Sequence, residues 1–120
     1  MRKILIIDDD HEIRELLDIY LKNNNYSTIL AEDLKEAEEK LLQGHPDLIL
    51  LDMYLPDGNG IEFLKKIKEW DIHAPVIMVT GAMDKLVALR SLEMGASDYI
   101  TKPIDLPYLH TSIIAKLLTA

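Results

Sequence analysis

The sequence predicts an α/β fold: a doubly wound (βα)5 sandwich with a five-stranded parallel sheet and helices on both faces. Three observations predict it. Short continuous apolar runs, such as Ile4–Ile7 and Leu48–Leu51, suit strands buried on both faces. Other apolar residues recur at three- and four-residue spacing, as on the inner stripe of a helix. Runs and stripes alternate along the chain, the order that gives parallel strands joined by helical crossovers.

The elements follow in order. Ile4–Ile7 is the first strand. Ile13, Leu16, Leu17, Tyr20 and Leu21 mark the first helix, stopped by Asn23-Asn24-Asn25. Ser27–Ala31 is a short second strand, and Leu34, Ala37, Leu41 and Leu42 give the second helix, closed by Gly44 and Pro46. Asp47–Asp52 is the third strand, and Pro56-Asp57-Gly58-Asn59-Gly60 is turn chemistry. Ile61, Leu64 and Ile67 form a third helix that ends near Trp70. Pro75–Val79 is the fourth strand, Asp84–Met94 the fourth helix stopped by Gly95, and Asp98–Thr101 the fifth strand. Leu106, Leu109, Ile113 and Leu117 make the last helix. No linker, repeat or low-complexity tract divides these elements, so residues 1–120 read as one domain.

Composition narrows the function. Lys plus Arg number 13 and Asp plus Glu 21, a net charge of −8, which argues against binding nucleic acid through its phosphates. Such a balance suits cations or basic patches on partner proteins. Cysteine is absent, which excludes disulfides, zinc–thiolate sites and cysteine nucleophiles. Asp8 interrupts the apolar start too early for a signal peptide, and no apolar run reaches membrane-spanning length. The expected location is cytoplasmic, with no membrane association.

In doubly wound sheets, ligands bind beyond the carboxyl ends of the strands. Those ends carry Asp8, Asp9 and Asp10; then Asp52; then Thr80 and Gly81; then Lys102 and Pro103. Clustered carboxylates need a cation, and an oxygen-only set suggests Mg²⁺, with Mn²⁺ as the alternative ion. Lys102 supplies a fixed positive charge and Thr80 a hydroxyl donor for phosphoryl oxygens. A carboxylate can itself be the nucleophile, as in aspartyl-phosphate chemistry, and Asp52 is the one not needed purely as a cation ligand. Asp10 stands where the first helix needs an N-cap. His11 reads as a helix-start residue, Met53 as packing, and Asp57 as serving its own turn.

With these residues in order, the chain resembles the receiver domain of bacterial two-component response regulators over essentially its whole length. The resemblance rests on Asp8-Asp9, Asp52 in Leu50-Leu51-Asp52-Met53, Pro56 with Gly60, Thr80 before a small residue, Gly95-Ala96, Tyr99 and Lys102-Pro103. It implies the flavodoxin-like strand order 2-1-3-4-5 and a phosphorylation-activated switch. Asp52 is then the phosphoacceptor, served by a phosphohistidine on a sensor histidine kinase or histidine phosphotransfer protein. Asp9 is the direct Mg²⁺ ligand, Asp8 a ligand acting mainly through water, and Tyr54 offers its backbone carbonyl. Thr80 is the switch hydroxyl, Lys102 its charged companion, and Tyr99 the aromatic that turns inward with Thr80. The Lys102-Pro103 bond is expected to be cis. Tyr54 and Ala82 flank the attack path and are expected to set a slow autodephosphorylation. The domain is thus a regulator rather than an enzyme.

The signal is expected on the face of the fourth helix, fifth strand and fifth helix, toward an output domain, a target protein or a phosphorylation-dependent homodimer. Leu86, Val87, Ala88, Leu89, Leu92 and Met94 exceed what one helix stripe needs, so some should be exposed. Two other classes fit less well. Small-molecule phosphatases of the aspartyl-phosphate type place a second Asp two residues after the nucleophile, where this chain has Tyr54. Unphosphorylated interaction modules lose members of the acidic and lysine set, and this chain has them all. Nucleotide loops are absent: Gly58-Asn59-Gly60 is followed by Phe63 where a third glycine belongs, so ATP is not the expected direct donor.

Overall fold

The computed structural model describes residues 1–81 and 85–120. Its strands are β1 (Lys3–Ile7), β2 (Ser27–Ala31), β3 (Leu48–Leu51), β4 (Tyr54–Leu55), β5 (Gly58–Asn59), β6 (Val76–Thr80) and β7 (Asp98–Thr101). The helices are α1 (His11–Asn23), α2 (Leu34–Gly44), α3 (Gly60–Glu69), α4 (Lys85–Glu93) and α5 (Leu106–Thr119). The main sheet runs β2-β1-β3-β6-β7, and each of its pairings is parallel. With the small β4-β5 hairpin set aside, that is the expected order 2-1-3-4-5.

Side chains alternate across each strand and so build two cores. Leu5, Ile7, Ile49, Leu51, Val76 and Met78 face α2 and α3 through Ala37, Leu41, Phe63, Leu64 and Ile67. Ile4, Ile6, Leu48, Leu50, Ile77, Val79 and Ile100 face α1 and α5 through Leu17, Leu21, Leu109, Ile113 and Leu117. Both faces are covered, which is why the strands read as unbroken apolar runs rather than alternating ones.

The helix starts follow capping chemistry. Asp10 caps α1, its carboxylate accepting from the N–H groups of Glu12 and Ile13. Asp33, Asn59 and Asp105 cap α2, α3 and α5, each accepting one N–H through a side-chain oxygen. Trp70 ends α3 and meets Phe63 edge to face, with ring centroids 6.0 Å apart.

Two readings are refined. The 56–60 turn is the tip and exit of a two-stranded antiparallel hairpin, Tyr54 opposite Asn59 and Leu55 opposite Gly58. Val87 and Met94 pack partly against the first core, which leaves Leu86, Leu89 and Leu92 as the exposed apolar residues of α4, at 75%, 53% and 44%. The expected helix start at Asp84 lies outside the described residues, as does Ala82.

Candidate functional site

Strand register assembles the site. Ile7 is paired with Leu51, so the next residues, Asp8 and Asp52, emerge side by side at the carboxyl end of the sheet. The ladder continues into them, since the Asp52 N–H donates to the Ile7 carbonyl at 3.0 Å and the Asp8 N–H to the Ala31 carbonyl at 3.1 Å. Thr80 is paired with Thr101, which places Lys102 at the same edge, and the Lys102 N–H donates to the Thr80 carbonyl at 2.9 Å. The Lys102-Pro103 peptide bond is cis, as expected.

The side chains converge. Asp8 and Asp52 are 2% and 6% exposed, while Asp9 lies open at the rim. One carboxylate oxygen from each of Asp8, Asp9 and Asp52 can lie within 4.8 Å of the others. The Lys102 ammonium enters from the side, 2.8 Å from Asp8 Oδ2 and 3.2 Å from Asp52 Oδ2. The other oxygen of Asp8 accepts the Asp10 N–H at 2.9 Å. Thr80, 1% exposed, completes the buried polar set at this edge. Tyr99, paired with Met78, is partly buried against the first core.

Among the described residues, charge in this pocket is unbalanced: three carboxylates meet one ammonium. Burial raises the Asp52 carboxyl above the ordinary range, and the neighbouring Asp8 charge adds to it, while Lys102 only partly opposes them. Burial works against the Lys102 ammonium as well, but Asp8 and then Asp52 outweigh it and hold its proton more tightly than usual. Lys102 is nearer Asp8, so it serves chiefly as that residue's partner and leaves Asp52 undercompensated. A hard divalent cation fits this donor set: it supplies the missing charge and prefers carboxylate oxygens.

Two further residues support the site, and the first of them, Arg14, carries no signal in the sequence. Arg14 donates from Nη1 to the Asp8 backbone carbonyl at 2.7 Å and lies 3.7 Å from Glu32, bracing the end of β1. It is one charge among many on an amphipathic helix. Gly60 packs its Cα against the Asp52 backbone, where a Cβ would stand 2.4 Å from the Asp52 carbonyl oxygen. Its N–H donates to the Met53 carbonyl at 2.6 Å. Asp10 stays out of the cluster and caps α1, as expected. His11 faces Glu15 at 3.6 Å along the same helix.

Known proteins match this chain in sequence and in fold. Residues 4–114 match the family model of the response regulator receiver domain. The phosphate regulon transcriptional regulatory protein PhoB of Escherichia coli (strain K12) is 42% identical over 106 residues, which cover 87% of this chain and 46% of that protein. The chain therefore spans less than half the length of that curated relative. Among solved structures, the BeF3-activated N-terminal receiver domain of RstA from Klebsiella pneumoniae superposes with a TM-score of 0.92 at 30% identity, covering 97% of this chain and 98% of that one. A CheY-like response regulator receiver domain protein from Methanospirillum hungatei JF-1 gives a TM-score of 0.94 at 33% identity, covering 99% and 95%.

Proposed function

We propose, on the premise that this chain belongs to the response regulator receiver domain family, that it accepts a phosphoryl group on Asp52 and relays the event to a partner. The observation that carries the reading is the Asp52 carboxylate, buried, held 3.2 Å from Lys102 and flanked by Asp8 and Asp9. A nucleophilic oxygen thus sits between a fixed cation and a cluster suited to a second one.

The chemistry is a displacement at phosphorus. An Asp52 oxygen forms the new O–P bond as the bond from phosphorus to the donor breaks, and we assign the donor as a phosphohistidine of a sensor histidine kinase or histidine phosphotransfer protein. The Lys102 ammonium and the Thr80 hydroxyl donate hydrogen bonds to the transferred oxygens. Asp8, Asp9, Asp52 and the Tyr54 carbonyl would hold Mg²⁺, which when bound would supply charge neutralisation for the carboxylates and the phosphoryl oxygens. Tyr54, 61% exposed beside the acceptor, bounds the approach of the water that slowly returns Asp52 to its free form.

The phosphoryl group then biases a two-state equilibrium. It brings charge and acceptor oxygens that reward the state with Thr80 drawn toward Asp52 and Tyr99 turned further into the core. The output leaves through the α4–β7–α5 face, where α4 exposes Leu86, Leu89 and Leu92 and α5 exposes Tyr108, Ile114 and Leu118. An output domain, a target protein or a second phosphorylated copy docks there. We place the domain, residues 1–120 as one unit, in the cytoplasm. Among the described residues no helix is long and apolar enough to cross a membrane.

Beryllofluoride with Mg²⁺ tests the reading. Wild-type protein is expected to bind it, with amide chemical shifts moving at Thr80, Tyr99 and α4, and Asp52→Asn is expected not to respond. An equal response from Asp52→Asn would overturn the assignment.

A further inference from the structure

The tip of the β4-β5 hairpin makes a contact that the phosphoryl chemistry does not use. Asp57 is exposed, yet both of its carboxylate oxygens are engaged: Oδ1 accepts the Leu34 N–H at 2.9 Å and Oδ2 the Lys35 N–H at 3.1 Å. These are donors of the first turn of α2, which have no partner within their own helix. The Glu36 N–H goes to Asp33 at 2.8 Å. Helix α2 is therefore capped by two carboxylates, one local and one from 23 residues away. The bond from Leu34, joined by that from Lys35, holds the Asp57 carboxyl below its ordinary range.

Close packing reinforces the link. Gly58, at φ 156°, approaches α2 so nearly that a Cβ would stand 2.8 Å from Leu34 Cδ1. At the base of the same segment, Gly60 lies against the Asp52 backbone and bonds the Met53 carbonyl. The hairpin is thus clamped to α2 at its tip and to the acceptor's own backbone at its base. Tyr54 is its first residue.

We propose that Asp57 is a positioning residue, which fixes the hairpin against α2 and so holds Tyr54 and the Asp52 backbone in the arrangement that takes a divalent cation. The proposal rests on reading Asp8, Asp9, Asp52 and Tyr54 as the Mg²⁺ site. Backbone geometry is the means: a carbonyl ligand has no rotamer to adjust, so its aim depends on what anchors its segment. Outer partners of metal ligands commonly change metal affinity by about 10- to 100-fold, and an anchor acting through three residues belongs at the low end.

The test is Mg²⁺ titration by calorimetry, together with amide hydrogen exchange and thermal melts. The proteins are wild type, Asp57→Ala, Asp57→Asn and Asp33→Ala. Asp33→Ala is the control, because it removes a cap from the same helix without touching the hairpin. We expect Asp57→Ala to weaken Mg²⁺ binding about tenfold and to speed exchange at Leu34 and Lys35. Asp57→Asn, which keeps one acceptor oxygen, should fall between it and wild type and serves if the alanine variant does not fold. Asp33→Ala should lower the melting temperature with Mg²⁺ affinity unchanged. Unchanged affinity in both Asp57 variants overturns the proposal, as does an equal loss in Asp33→Ala, which would make the effect one of α2 stability. Wild-type protein that binds no Mg²⁺ would overturn the metal-site reading itself, a different result from either of these.

Discussion

Replacing Lys102 with Met keeps most of the side-chain stem and removes the ammonium that, alone among the described residues, faces Asp8 and Asp52. At an effective dielectric of about 20, charges 2.8 and 3.2 Å apart attract by roughly 6 and 5 kcal/mol before desolvation is counted. Desolvation cancels much of that sum. What remains visible is the penalty for orphaning buried charge, about 3–5 kcal/mol when one member of a buried pair is deleted. Lys102 retains 18% side-chain exposure, so water reaches the pocket and the lower figure applies, about 3 kcal/mol. For a domain of this length that corresponds to a fall in Tm of about 10 °C. The assay is thermal and urea unfolding followed by circular dichroism at neutral pH, in EDTA and in excess Mg²⁺. The loss is expected in EDTA and should shrink in Mg²⁺, since the cation neutralises the same carboxylates. Adding Asp52→Asn to Lys102→Met should recover part of it in EDTA by removing one of the two orphaned buried charges. A midpoint in EDTA equal to wild type, or a loss of the same size with and without Mg²⁺, would refute the charge argument.

Further outcomes follow from the same pocket. Because burial and then Asp8 raise the Asp52 carboxyl, the folded state keeps a proton there that the unfolded chain has lost. In that window, between the ordinary value of about 3.9 and the raised one, stability must fall as pH rises. Metal-free wild type should therefore gain stability relative to Asp52→Asn as pH falls from neutrality toward about 4, read from urea midpoints; parallel curves would contradict it. Lys102 does not interfere, because its contribution is lost only as pH rises through a value above the ordinary lysine range. The depressed Asp57 acts below the carboxylate range. Asp9→Ala should abolish Mg²⁺ binding in calorimetry, whereas Asp10→Ala should cost about 1 kcal/mol of capping stability with Mg²⁺ affinity retained. Leu86→Glu, at a position 75% exposed, should leave Tm and phosphorylation intact and weaken partner binding or self-association, measured by light scattering and pull-down with the isolated partner.

The sequence made legible whatever depends on local pattern. Ile4–Ile7 and Leu48–Leu51 were readable as strands because α helices on both faces of the sheet leave no solvent side to impose alternation. Ser27–Ala31 and Asp98–Thr101 match the structure to the residue, bounded as they are by Asn25 and Gly95, both at positive φ. The acidic, hydroxyl and lysine set was readable because strand ends in a parallel sheet converge whatever the loops do. Long-range bonds were not readable. Asp57 looks like a turn residue from its neighbours Pro56 and Gly58, and only the fold reveals that it caps a helix 23 residues earlier. Arg14 was hidden for the same reason. The β4-β5 hairpin escaped notice because two-residue strands have no periodicity. Which of the apolar residues from Leu86 to Met94 would be exposed was not readable, because that helix has apolar residues on several sides and only packing decides that Val87 and Met94 meet the core.

The central claim is that Asp52, and no other carboxylate of the cluster, takes the phosphoryl group. Wild-type protein phosphorylated with acetyl phosphate and Mg²⁺, then reduced with borohydride, converts an acyl-phosphorylated aspartate to homoserine, which peptide mass spectrometry locates. Homoserine is expected at position 52 alone, and none in Asp52→Asn. Homoserine at position 8 or 9, or undiminished phosphorylation of Asp52→Asn, would contradict it.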